Sequence, residues 1–220
     1  MSATLDRRGD VFVLNLGDDE NRFNFDSIAR IGALLDEVAA AEGPKALLTV
    51  ATGKFWSNGL DLAWMLENNI QLADLVVAVQ ELFARVMEAD YPTVAAIQGH
   101  CYAAGAMLAL CHDVRFMRED RGFLCFPEVD IKMSFTEGMN SLITTKLTNR
   151  IAHQAMVLGR RFTGPEAQAS GIVDGVCSED QLESVGLRHA TELVGKDPTA
   201  LGAIKRMLYA DTLRLLRTAP

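Results

Sequence analysis

Two stretches of this chain share one layout: a run of apolar strand formers, a turn of small residues, and the opening of a helix. In the first, residues 45–51 (Lys-Ala-Leu-Leu-Thr-Val-Ala) lead through Phe55-Trp56-Ser57-Asn58-Gly59-Leu60-Asp61-Leu62 into Ala63-Trp64-Met65-Leu66. In the second, the short run 93–97 leads through Gln98-Gly99-His100-Cys101-Tyr102-Ala103-Ala104-Gly105-Ala106 into Met107-Leu108-Ala109-Leu110, which is apolar all round and therefore predicts a buried helix. Such a turn can hold backbone N–H groups outside regular hydrogen bonding, where they are able to meet a developing negative charge. Taken singly, the first turn reads as an ordinary strand-to-helix connection, with Gly59 supplying a positive φ. Two of them admit a second reading, in which two N–H donors meet at one point.

The rest of the chain alternates in the same way. Residues 11–16 favour a strand, and Arg7-Arg8-Gly9-Asp10 before them reads as the turn of an opening hairpin. Asp26 or Ser27 is placed to cap a helix carrying Ile28, Ile31, Leu34, Leu35 and Val38 on one face. Residues 67–75 lack a clear period and read as a connection, after which 76–89 returns to helical spacing and stops at Tyr91-Pro92. Further strands are expected over 113–117, 123–126 and 171–176, and helices over 139–147, 151–158 and from Ser178 to Leu216. Thr163, followed by Pro165 and Glu166, spells a helix start. Strands alternating with helices make this an α/β chain.

With 220 residues and 49% hydrophobic side chains the chain can bury a full core. A net charge of −8 argues against nucleic acid as the main partner. No apolar run reaches the roughly 18 residues that span a bilayer, so no membrane partner is expected. Cys101, Cys111, Cys125 and Cys177 show no metal-ligand spacing with the histidines, so no metal is expected. They read as reduced thiols of a cytoplasmic protein; no leader opens the chain, and Arg217-Thr218-Ala219-Pro220 differs from a Ser-Lys-Leu address.

Four landmarks, in order, carry a resemblance: Ser57 to Leu62, Gly99 to Gly105, Pro127-Glu128, and Thr163-Gly164-Pro165-Glu166-Ala167 followed by Gly171-Ile172-Val173-Asp174. The chain resembles the crotonase (enoyl-CoA hydratase/isomerase) superfamily over essentially its whole length, and is most similar to the plant-type Δ3-Δ2-enoyl-CoA isomerases. The resemblance implies a crotonase-like spiral of β-β-α units over residues 1–160 and a shortened C-terminal helical region over 161–220. That region would serve assembly into a homotrimer or a dimer of trimers. It also implies an acyl-CoA thioester as substrate, with coenzyme A part of the substrate and no separate cofactor.

Carried over by position, the N–H groups of Leu60 and Ala104 would hold the thioester oxygen, and Glu128 would be the catalytic acid and base. Ser57, Gly59, Asp61 and Gly105, with Arg22 and Lys54 for the phosphates, would form the substrate-binding surroundings. Lys205 or Arg206 is a further candidate, reaching a neighbouring subunit's ligand, and Trp56 and Trp64 read as packing or as tunnel wall. Hydratases of this family carry a second acid where this chain has Met107, which cannot move a proton. Adding water calls for two carboxylates, whereas shifting a double bond needs one base that removes a proton and returns it two carbons along. Met107 therefore favours an isomerase over a hydratase; a thioester hydrolase on the same scaffold and a non-catalytic acyl-CoA binder are the further alternatives, and Glu128 weighs against the binder.

Glu128 also has a plain reading, as a surface carboxylate beside a proline. Phe126, Met133 and Phe135 are near enough in sequence to give it an apolar pocket, which would raise its pKa. Asp130 would share its face if the segment is extended. Where relatives carry a glycine four residues past this glutamate, this chain has Lys132, so the acyl pocket is expected to be reshaped.

Overall fold

The computed structural model describes residues 3–218. Its centre is a six-stranded sheet built from β1 (Thr4–Arg8), β2 (Val11–Asn15), β3 (Ala46–Val50), β5 (Thr93–Ile97), β7 (Val114–Arg118) and β9 (Gly175–Cys177), in that spatial order. β1 and β2 form the expected antiparallel hairpin, and every later neighbour pairs in parallel. β1 runs to Arg8, so the turn is tighter than expected and rests on Gly9, at φ +64. A second, three-stranded parallel sheet holds β4 (Phe55–Ser57), β6 (His100–Tyr102) and β8 (Leu124–Cys125).

The two sheets reveal the repeat. β3 then β4, β5 then β6, and β7 then β8 each place one strand in the large sheet and the next in the small one. A helical segment follows each pair: α2 (Leu62–Glu67) and α3 (Leu72–Met87), then α4 (Ala104–Cys111), then α5 (Glu137–Lys146). This is the expected crotonase-like spiral of β-β-α units. Each parallel pairing stacks one turn of the spiral on the next, so the residues just past β4 and just past β6 become neighbours in space.

α1 (Phe25–Ala40) precedes the spiral. Its cap is Asn24, whose side chain accepts from the Ser27 N–H while Ser27 Oγ accepts from the Asn24 N–H. Asp26 and Ser27, expected at the cap, are instead the second and third helical residues. α3 begins at Leu72, inside the segment read as a connection, because Leu75, Val76 and Val79 continue one buried face. α6 (Asn149–Ala152) passes into a wide π turn over His153–Val157 where one helix was expected. α7 (Gly164–Ala169) carries the expected capping box between Thr163 and Glu166. Of the strand expected over 171–176, the β9 pairing covers Gly175–Cys177; the residues before it are turn, with Gly171 at φ +70.

Two buried layers hold the sheets. α4 is buried along its whole length within the main core, beside α3 and α5. The other face of the large sheet is covered by α8 (Glu179–Leu193), through Leu182 and Ala190 against Val13, Leu48, Val94 and Phe116. α9 (Pro198–Leu208) leads to α10 (Ala210–Leu216), which turns back onto α3 and α5.

Candidate active site

The first turn is built around Asn21, which is fully buried at φ +48. Its side-chain amide donates to the carbonyls of Phe55 (3.1 Å) and Trp56 (3.2 Å), while its own carbonyl accepts from Ser57 Oγ (2.8 Å). Gly59 then turns the chain at φ +80. Phe23 N–H donates to the Gly59 carbonyl (2.8 Å) and Asp61 N–H to the Phe23 carbonyl (2.8 Å), leaving the Leu60 N–H between them without an acceptor among the described residues.

The second turn ends β6 at Ala103, whose φ of 50 and ψ of −124 are strained for a residue with a side chain. That geometry opens α4 at Ala104, whose N–H is one of the orphan donors of a helix start. The two turns are locked together by glycines. A β-carbon on Gly105 would fall 2.7 Å from the Ser57 β-carbon and carbonyl oxygen. One on Gly59 would fall 2.9 Å from the Ala103 β-carbon and 3.3 Å from the Ala104 nitrogen. The expected convergence of the two turns is therefore a property of the fold.

Leu60 and Ala104 line a cavity of about 560 Å³, with Met107 and Glu128 on its wall. Apolar side chains of α3 and α5, among them Leu72, Val76 and Met139, also line it. Glu128 follows β8, in a turn where the Pro127 carbonyl accepts from Asp130 N–H (2.9 Å) and Ile131 N–H (3.1 Å). It is 6% exposed, and its Oε2 has no hydrogen-bond partner. Loss of solvent pushes its pKa up to about 7, with its own backbone amide a smaller opposing influence. A carboxylate held this way is poised to exchange a proton near neutrality. Of the three side chains expected around it, Met133 lines the cavity, Phe126 is buried in the core and not on the cavity wall, and Phe135 lines a neighbouring cavity.

Asp130 lies apart from Glu128. The segment is a turn rather than extended, and the Asp130 carboxylate sits beside Gly159. Lys132 adopts φ +60, so the turn favoured by a glycine persists although a lysine occupies it. Met133 N–H closes the turn on the Glu128 carbonyl (2.9 Å).

Of the expected surroundings, Arg22 lines the cavity and is paired with Glu20. Ser57, Gly59 and Gly105 shape the turns from behind, and Asp61 caps α2 through the Trp64 N–H (3.1 Å). Lys54 lies over the Phe55 ring, 5.2 Å from its centroid, and is not part of the cavity wall. Lys205 cannot reach a neighbouring ligand: it is 4% exposed, and its ammonium donates to Asp113 (2.7 Å) and the Tyr91 carbonyl (3.2 Å). Trp56 is buried packing, and Trp64 stands edge-on to Phe25. The sequence reading missed Tyr102 and Thr136, which also line the cavity. Tyr102 directly precedes the second turn, which could have signalled it; nothing local ties Thr136 to the cavity.

Among the described residues no group of three or more His, Cys, Asp or Glu side chains could hold a metal ion, and no helix is long and apolar enough to cross a membrane.

Residues 14–219 match the family model for enoyl-CoA hydratase/isomerase. The peroxisomal enoyl-CoA delta isomerase 2 of Arabidopsis thaliana is 36% identical over 227 residues, covering 97% of this chain and 95% of that protein. Enoyl-CoA delta isomerase 3 of the same plant is 36% identical over 229 residues, covering 97% and 94%. An apo structure of an enoyl-CoA isomerase from Mycobacterium tuberculosis superposes with a TM-score of 0.86 at 25% identity, over 98% of this chain and 94% of the other. The peroxisomal name of the first relative overturns the expectation of a cytoplasmic protein. Buried reduced thiols report how a cysteine is packed and do not carry a cellular address.

Proposed function

The chain belongs to the enoyl-CoA hydratase/isomerase family, and we propose that its reaction is the shift of the double bond of a 3-enoyl-CoA to give trans-2-enoyl-CoA. The observation that carries this reading is the buried Glu128 carboxylate, unpaired at Oε2, in the cavity that Leu60, Ala104 and Met107 also line. The thioester oxygen accepts hydrogen bonds from the two amides. Glu128 removes a proton from the alpha carbon, and the electron pair moves onto that oxygen as an extended enolate. Backbone donors fixed by a packed turn need no reorganisation as the charge forms, and the contact between the Gly59 and Ala103–Ala104 turns supports that role here. Glu128 then returns the same proton to the gamma carbon, and the double bond moves next to the thioester. Atoms and charge balance with one base, no water and no further cofactor.

Met107 supports isomerisation over hydration. It is 1% exposed in α4 and lines the same cavity as Glu128, at the position to which the family resemblance assigns the second acid of hydratases. Arg22, at the cavity wall, is the candidate cation for the coenzyme A portion. Assembly through the 161–220 region into trimers, or pairs of trimers, fits the apolar face that α9 leaves uncovered, where Met207 is 81% and Leu208 66% exposed.

The test is to give the purified protein 3-hexenoyl-CoA and trans-2-hexenoyl-CoA in parallel. Isomerisation of the first should be fast and hydration of the second slow. Hydration equal to or faster than isomerisation would remove the reading, and binding of both thioesters without turnover would make the protein a carrier.

A further inference from the structure

Beside the candidate active site lies a second cavity of about 450 Å³, lined by Phe135, Glu137, Gly138, Leu215 and neighbouring residues. Ser134 and Thr136 border both cavities, so the 134–136 segment is the partition between them. Thr136 is held firmly. Its hydroxyl accepts from the Met139 N–H (3.1 Å), capping α5, and donates to the side-chain oxygen of Gln80.

Gln80 is fully buried on α3 and is spent entirely on this link. Its amide nitrogen donates to the Leu216 carbonyl (3.1 Å), one of the orphan acceptors at the end of α10. One side chain thus ties the partition to the C-terminal helix. Arg217, next in the chain, secures the same helix end to α3 through Glu81 (3.0 and 3.2 Å) and Glu88. An apolar residue would fill the Gln80 position and leave Thr136 held only by its cap on α5.

We infer that Gln80 is a positioning residue that sets the acyl-chain length this site accepts. By anchoring Thr136 it keeps the partition closed, so short acyl chains fit the cavity and chains long enough to need the second cavity are excluded. The inference rests on the acyl-CoA reading above and names the substrate class within it.

The experiment is calorimetric binding of hexanoyl-CoA and dodecanoyl-CoA, saturated thioesters that require no turnover. The proteins are the full-length wild type, Gln80→Met, Thr136→Val and Ser141→Ala, each checked for folding by thermal melting. Ser141 Oγ bonds Thr212 Oγ1 (2.7 Å) between α5 and α10 and does not border either cavity, so its loss loosens the helix pair without freeing the partition. The wild type should prefer hexanoyl-CoA. Gln80→Met and Thr136→Val should each move the affinity ratio toward dodecanoyl-CoA by about tenfold or more, the scale on which an apolar pocket discriminates methylenes. Ser141→Ala should keep the wild-type ratio.

A folded Gln80→Met protein with the wild-type ratio overturns the inference, as does an equal shift in Ser141→Ala. If Gln80→Met does not fold, Thr136→Val decides on the same terms. A wild type that binds neither thioester sinks the acyl-CoA reading itself; an unchanged ratio sinks the inference alone.

Discussion

Gly59 stands against Ala104 with no room for a side chain: a β-carbon on the glycine would lie 3.3 Å from the Ala104 nitrogen and 2.9 Å from the neighbouring Ala103 β-carbon. The two amides assigned to the thioester oxygen therefore depend on one close contact between turns that belong to successive units of the spiral. Gly59→Ala should push the turns apart and also force a side chain into φ +80. We expect a stability loss of about 1–3 kcal/mol and a kcat lower by about a hundredfold, as when one oxyanion donor is removed. Melting temperature and steady-state kinetics measure the two separately; near-native kcat in a folded variant would mean that the turn contact does not set the donors.

Glu128→Gln keeps the shape of the side chain and removes the base. Isomerisation should fall by about 10²–10⁴-fold, and wild-type kcat/KM should rise as pH passes through about 7, where the carboxylate forms. The same shift has a stability consequence of definite sign. The folded pKa, about 7, lies above the ordinary 4.5, so between these values the native state holds a proton that the unfolded chain releases. Stability should fall as pH rises through that window, by about 3 kcal/mol in all. Denaturation at pH 4.5 and pH 7.5 would show the slope in the wild type and its absence in Glu128→Gln.

Met107→Glu restores a second carboxylate to the cavity wall. The added group is buried and stands in the same cavity as Glu128, so it should lower stability by about 3 kcal/mol or more. Hydration of trans-2-hexenoyl-CoA, slow in the wild type, should become measurable above background. A folded variant with no gain in hydration would show that the missing acid is not what separates the two reactions here.

Ala103 at φ +50 and Lys132 at φ +60 occupy backbone conformations that glycine adopts more readily. Ala103→Gly and Lys132→Gly should each raise stability by about 0.5–1 kcal/mol by relieving that strain, less the entropy cost of glycine in the unfolded chain. Turnover should be retained in Ala103→Gly, because the Ala104 amide keeps its place at the start of α4. Thermal melts at matched pH would check the gain, and a loss of stability in both would show that the side chains contribute more than the backbone strain costs.

Much of the fold was legible because it is written in local patterns. The apolar runs before the two turns, the all-apolar α4 and the Thr163–Glu166 box each state their element without reference to anything distant. The errors lie where a distant partner decides. Asn24, and not Asp26 or Ser27, caps α1 because the entering chain is fixed by the Phe23 pairing with Gly59 and Asp61. The strand expected at 171–176 is instead Gly175–Cys177, because those are the residues that pair with β7. Lys205 looked like a free cation until α9 placed it on Asp113.

The sequence alone carried the order of elements, the two small-residue turns and, through the family resemblance, the candidate groups: two amides, one glutamate, and Met107 in place of a second acid. Tertiary structure alone decided what those groups can do. Parallel pairing of β4 with β6 puts the turns in contact. Burial after β8 strips Glu128 of water and lifts its pKa to about 7. α10, folding back on α3 and α5, gives Gln80 and Thr136 a role that no motif records. The reason is the range over which each signal acts: propensity and capping are settled within a few residues, while desolvation and close approach depend on which segments the fold brings together.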